Sequence, residues 1–121
     1  MSDSLYQFSL QNQEPNSIEG VISLNPEHSI FEGHFVEKSI LPGASMMVMV
    51  REILESCLGK SLVLKEAKQV KFLSIIDPNE VPAFSVTLSL SEKEEDLVVK
   101  TIFENEGKTL LKFFSSYVIS E

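Results

Sequence analysis

The chain has 121 residues, 43% of them apolar, which suits one domain over residues 1–121. The net charge of −8 argues against nucleic acid or an anionic membrane surface as the main partner. No apolar run approaches the about 18–20 residues of a membrane-spanning helix. The first residues lack the features of a signal peptide, and the single cysteine excludes an internal disulfide, so we expect a cytoplasmic protein.

Two strands and a loop are predicted before the first helix. Residues 6–10 alternate between apolar and polar side chains, the period of a half-buried strand, and residues 12–16 favour a turn. A second strand is predicted over 18–24. Residues 28–41 have no clear period, so we expect a loop that carries both histidines of the chain.

One helix is predicted over residues 44–58. Pro42 and Gly43 open it, and Gly59 is a natural stop. The first turns are apolar almost all round, which predicts a helix buried at the centre of the fold.

The remainder of the chain predicts four strands, over residues 61–76, 84–90, 97–103 and 109–119. The intervening turns are predicted at 77–80, 91–96 and 104–108. Two strands, one helix and four strands indicate an α+β fold in which one antiparallel sheet wraps around a single central helix.

The candidate chemistry lies between the second strand and the helix. His34, in the segment Phe31-Glu32-Gly33-His34-Phe35, precedes the Pro42-Gly43 helix start by a few residues. A neutral imidazole takes or gives a proton near pH 7. A helix N-terminus offers N–H groups and positive partial charge to a developing oxyanion. This pairing indicates acyl-thioester or carbonyl chemistry.

Gly33-His34-Phe35 and the spaced Pro42-Gly43 resemble a motif of the hot-dog-fold 3-hydroxyacyl-acyl carrier protein (ACP) dehydratases of the FabA/FabZ type. Residues 70–73 also resemble the third-strand segment of that family, so the resemblance covers nearly the whole chain. It implies a hot-dog fold, a homodimer with sites between subunits, and an acyl-ACP or acyl-CoA substrate.

The resemblance also implies roles for individual residues. His34 would remove the C2 proton, and the Gly43 backbone N–H would polarise the thioester carbonyl. A carboxyl of the partner's helix would protonate the leaving hydroxyl. The side chains expected to contact substrate are Phe35, Pro42, Met47 and Val48.

The departure from the family pattern is at the carboxyl. Fourteen residues after His34 the chain has Val48, which cannot protonate a hydroxyl. Glu52 lies one turn later on the same helix face and is the candidate replacement. Alternatively, Glu52 belongs to a polar helix end that reaches solvent or a dimer contact. Glu55 shares that face and has the spacing to pair with Arg51.

The remaining candidates favour structural roles. His28 has no third ligand at metal-site spacing, so we expect a surface or loop-packing residue, and we predict neither a metal nor a cofactor. Cys57 is interpreted as a small core residue, and Ser45 has no neighbouring base. The methionines of the first helical turns suit the core, and also an acyl chain.

Three functions remain open. The first is a 3-hydroxyacyl-thioester dehydratase of fatty-acid or polyketide-like synthesis. The second is a non-catalytic acyl-binding subunit or the partner of a complete dehydratase. The third is a hot-dog thioesterase that uses Glu52 to direct water. The lysines of residues 60–71 form a basic stretch that fits either an acidic carrier or a solvated strand face.

Overall fold

The computed structural model describes residues 4–31 and 40–120. Within these ranges the chain forms β1 (Tyr6–Glu14), β2 (Ser17–Leu24), α1 (Gly43–Leu58), β3 (Ser61–Phe72), β4 (Ala83–Lys93), β5 (Asp96–Asn105) and β6 (Lys108–Ser120). A short 3-10 helix covers Ser29–Phe31. No helix in the described ranges is long and apolar enough to cross a membrane.

All six strands of the described chain form one antiparallel sheet in the order β1-β2-β4-β5-β6-β3. Strand β3 follows the helix in sequence but pairs with the last strand, so it lies at one edge of the sheet. The other edge is β1. The predicted architecture, one antiparallel sheet against one long helix, is confirmed by this topology.

The core lies between the inner face of the sheet and one side of α1. Strands β2 and β4 alternate buried and exposed side chains along their length, as the period of two predicts. The helix contributes five buried residues, Met46, Met49, Val50, Ile53 and Leu54. The sheet and the helix therefore bury their apolar faces against each other.

The helix is not buried all round, contrary to the sequence prediction. Residues four apart, Ala44, Val48, Glu52 and Ser56, form an exposed stripe along it. Val48 is 44% exposed although it is apolar. The run of apolar residues at the helix start thus supplies both the core and an open face, and composition alone could not separate the two.

Three predicted turns are longer than the observed ones, and that over 104–108 contracts to Glu106 and Gly107. The turn over 12–16 contracts to two residues, because β1 contains an irregularity between Leu10 and Asn12 and then resumes pairing with β2. The turn over 91–96 contracts to Glu94 and Glu95, which adopt φ of 53° and 74°. This left-handed conformation matches the twist of a two-residue hairpin, so β4 and β5 extend beyond their predicted ends.

The long segment predicted over 61–76 leaves the sheet after Phe72. The N–H of Leu73 still donates to the carbonyl of Leu110 at 2.9 Å, and beyond it the chain bends toward the helix start. There the N–H of Leu41 donates to the carbonyl of Ile76 at 2.8 Å. The predicted loop over 28–41 also contains the 3-10 helix, whose Phe31 is buried in the core.

Gly20 on β2 lies very close to the side chain of Phe8 and the backbone of Ser9 on the neighbouring strand. A Cβ built there would lie 2.5 Å from Cζ of Phe8 and 2.5 Å from the carbonyl oxygen of Ser9.

We expect Gly20→Ala to lower the free energy of unfolding by about 1–3 kcal/mol, because a backbone atom must move. Urea unfolding measures this. The control, Ser23→Ala, changes an exposed side chain of the same strand, and an equal loss in both variants would contradict the prediction.

Candidate active site

A cleft of about 710 Å³ lies between the exposed stripe of α1 and the start of β1. Its polar lining includes Tyr6, His28, Ser45 and Glu52, and its apolar lining includes Leu5, Phe8, Val48 and Ile53. Apolar walls with a few polar groups are the usual composition of a small-molecule site. The cleft is therefore the candidate active site.

Val48 and Glu52 line the same cleft, one helical turn apart. The carboxyl of Glu52 accepts a hydrogen bond from the hydroxyl of Tyr6, with 2.8 Å between the phenolic oxygen and Oε1. Burial raises the pKa of Tyr6 well above its usual range, and the hydrogen bond and negative charge of Glu52 raise it further. The phenol thus keeps its proton and donates it to the carboxyl oxygen.

Glu55, on the next turn, has a different role. Its Oε2 accepts the backbone N–H of Leu62 at 2.8 Å, which joins the helix to the start of β3. The same oxygen lies 3.6 Å from Nη1 of Arg51, so the predicted i, i+4 ion pair forms. Of the two glutamates, Glu52 lines the cleft and Glu55 holds the helix to the sheet.

His28, which the sequence predicted to be a surface or loop-packing residue, lines the cleft. Its Nδ1 accepts the backbone N–H of Ile30 at 3.0 Å. In the neutral ring the proton is therefore on Nε2. Neither His28 nor Tyr6 carried a sequence signal for the cleft, because both reach it through the fold from segments far from the helix.

The helix N-terminus forms a second recess. Pro42 is the N-cap residue and has an extended backbone conformation. Its side chain makes no capping hydrogen bond to the helix that begins at Gly43. The ring of Phe72 packs over Gly43, and a Cβ there would lie 2.6 Å from its Cζ. Apolar residues of the 72–75 segment and Ile40 line the surrounding pocket of about 360 Å³. Close approach to the Gly43 backbone therefore depends on its lacking a side chain.

Met47 lies beside an apolar pocket of about 220 Å³ under the edge strand β3. Its other lining residues are Ala44, Val48, Arg51, Leu64, Phe113 and Tyr117. Tyr117 is buried, which raises the pKa of its phenol, and its oxygen accepts a hydrogen bond from Ser115. Because Ala44 and Val48 also line the cleft, the polar cleft and the apolar pocket adjoin at Val48.

The predicted base His34 and the predicted contact Phe35 lie outside the described residues. Cys57 is half-buried, and burial raises the pKa of its thiol, which disfavours the nucleophilic thiolate. Within 4–31 and 40–120, no three histidine, cysteine, aspartate or glutamate side chains are grouped as a metal site would require.

The model of the ApeI-like family, described as ApeI dehydratase, matches residues 10–112. No curated protein matches the chain. A chain of the dehydratase heterocomplex ApeI:P from Xenorhabdus doucetiae has 17% identity and a TM-score of 0.72, with 91% of this chain and 94% of that chain covered.

Two further solved structures share the architecture. An uncharacterized protein from Erwinia carotovora subsp. atroseptica has 14% identity and a TM-score of 0.67, with 97% of both chains covered. Cj0977, a sigma28-regulated virulence protein from Campylobacter jejuni, has 10% identity and a TM-score of 0.71, with 100% of this chain and 88% of that chain covered. At these identities the likeness shows the fold, and the predicted hot-dog fold is confirmed.

The two helix glutamates give contrasting predictions for stability. We expect Glu55→Ala to lower the free energy of unfolding by about 1–3 kcal/mol, because the Leu62 N–H loses a charged acceptor. Glu52→Ala should cost less, because the Glu52 side chain is exposed. Thermal and urea unfolding of both variants measure the difference. A larger loss in Glu52→Ala would show that Glu52, too, is primarily structural.

Proposed function

Because the chain belongs to the ApeI-like dehydratase family, we propose that it dehydrates 3-hydroxyacyl thioesters carried on ACP, in fatty-acid or polyketide-like synthesis. The observation that carries the proposal is the family match over residues 10–112, which includes His34, Gly43 and Glu52. The reaction removes a proton from C2 and hydroxide from C3. It yields a 2-enoyl thioester and water.

In this proposal His34 is the base that takes the C2 proton. The Gly43 N–H, at the positive end of α1, stabilises the negative charge that develops on the thioester oxygen. As the C3–O bond breaks, a carboxyl protonates the departing oxygen so that it leaves as water. The base and the acid are separate side chains, so each can have a different pKa.

Glu52 is the proposed source of that proton. It is exposed to the cleft, whereas Glu55 is engaged by Arg51 and the Leu62 N–H. Val48, where the resemblance places a carboxyl, adds only apolar surface. The cleft therefore offers a carboxyl one turn beyond the usual position, and this supports an active enzyme with a displaced acid.

The apolar pocket beside Met47 is the proposed place for the acyl chain. It adjoins the cleft at Val48 and is almost wholly apolar apart from Arg51. A hydrocarbon chain there would bury apolar surface while its C3 hydroxyl faces the polar cleft. Pro42 and Phe35 are proposed to contact the thioester end.

Strand β3 is the proposed dimer edge. It ends the described sheet, and Val63 and Leu64 on it are 50% and 38% exposed. An edge strand with apolar side chains is a template for pairing with another chain. Lys68 and Lys71 on the same strand are exposed and are proposed to face an acidic carrier.

A second candidate is a subunit that pairs with a complete dehydratase. Val48 leaves the usual acid position without a proton donor, and the similar Xenorhabdus doucetiae chain belongs to a dehydratase heterocomplex. In that arrangement the partner would supply the carboxyl. The two candidates differ in whether this chain alone turns over substrate.

The first prediction for the proposal concerns His34. Purified protein should hydrate crotonyl or decenoyl thioesters, the reverse reaction, and His34→Ala should lose at least about a hundredfold in kcat, because general-base catalysis typically contributes that much. Mass spectrometry of ACP- and CoA-linked substrates separates hydration from thioester hydrolysis. The variant must keep the wild-type fold by circular dichroism. Unchanged turnover in His34→Ala would contradict the assignment.

Substitution at Val48 separates the two candidates. If the chain is a partner subunit that lacks only its acid, Val48→Glu should create hydration activity in the isolated protein. If Glu52 already serves, Val48→Glu should give little increase over the wild type. Val48→Gln is the control, because it has similar size but no ionisable proton. The same assay with native mass spectrometry records whether each sample is a homodimer.

A further inference from the structure

Tyr6 and Glu52 are 46 residues apart and come from the two elements that form the cleft. Tyr6 stands near the start of β1, is half-buried, and points its hydroxyl at the helix. Glu52 is exposed on the open stripe of α1. Their 2.8 Å hydrogen bond therefore lies on the wall of the cleft.

A second hydrogen bond between β1 and α1 is a purely structural contact and serves for comparison. Nε2 of Gln13 donates to the carbonyl of Cys57 at 3.0 Å, beyond the residues that line the cleft. That bond uses a backbone acceptor and no ionisable group. The Tyr6 bond instead holds a carboxyl, and a carboxyl on a long side chain otherwise samples several rotamers.

We propose that Tyr6 is a positioning residue that fixes the carboxyl of Glu52 in the cleft for proton transfer to the substrate oxygen. The inference rests on the proposed function, since it gives Glu52 the acid role. With Oε1 accepting from the phenol, the proton that Glu52 gives to the leaving hydroxyl would be on Oε2, and in the hydration direction Oε2 would take it back from water. Preorientation of this kind raises kcat because the reacting group no longer has to be ordered during the reaction.

The phenol suits this task. Its pKa is raised by burial and by Glu52, so Tyr6 remains a donor through the neutral range. The other titratable side chain on the described cleft wall is His28, whose Nδ1 is taken by the N–H of Ile30. A phenylalanine at position 6 would keep the apolar packing against the cleft and remove only the donor.

Kinetics of the intact protein test the role. Tyr6→Phe should lower kcat for enoyl-thioester hydration by about tenfold with KM changed by less than about twofold, since positioning affects the chemical step more than binding. Glu52→Gln should lose more, and the double variant should equal Glu52→Gln alone, because the two act as one unit. Gln13→Ala, which removes the other β1–α1 link, should leave kcat unchanged. Wild-type kcat in Tyr6→Phe, or losses that add in the double variant, would overturn the inference.

Titration of the phenol tests the pair without any turnover. In a Tyr117→Phe background Tyr6 is the remaining tyrosine of the chain, and its ionisation is followed by ultraviolet absorbance. Glu52→Gln should lower the midpoint, because the negative charge disappears and a neutral amide oxygen is a weaker acceptor for the phenol. Glu52→Asp, which shortens the side chain and keeps the charge, should lower it less. An unchanged midpoint in Glu52→Gln would overturn the pair itself, whereas absent wild-type turnover with a shifted midpoint would overturn the proposed function.

Discussion

The fold depends on the burial of one side of a single helix against the inner face of the sheet. Met49, Val50 and Leu54 are almost wholly excluded from solvent, and every other element is arranged around them. Because a single helix packs only one of its sides against the sheet, its opposite side stays exposed. The open side carries Val48 and Glu52, so the requirement that forms the core also creates the cleft.

The two glutamates of α1 show how environment separates residues of one chemical type. Both are helix carboxylates, three positions apart. Glu55 accepts a hydrogen bond from a backbone N–H of the next strand, whereas Glu52 accepts one from a phenol in the cleft. The first closes the junction between helix and sheet. The second faces space that a ligand can enter. Neither role follows from helical spacing, because each partner comes from a different strand.

The sequence was sufficient for the element order, the helix bounds and the hot-dog architecture. Alternating apolar and polar residues indicate a sheet with one buried face, and Gly59 indicates the end of the helix. Both patterns are local in the sequence. The candidate site was predictable only where the resemblance applied or where residues share a helix, as Val48 and Glu52 do. Tyr6 and His28 join it through tertiary contacts, which no local period encodes. The predicted turn over 91–96 was too long for a related reason: the sheet confines it to Glu94 and Glu95, in a left-handed conformation that glutamate rarely prefers.

Lys65 of the edge strand reaches Asp96 at the start of β5, and their charged groups are 2.6 Å apart. The bond and the charge of Asp96 raise the pKa of Lys65, and Glu94 of the strained turn adds to the effect. The edge strand β3 is thereby linked to the β4–β5 hairpin, and β5 lies two strands from β3 both along the chain and in the sheet. Fraying of β3 at Lys65 therefore also breaks a contact of the hairpin, and because Lys65 is exposed this link is weak and is screened by salt.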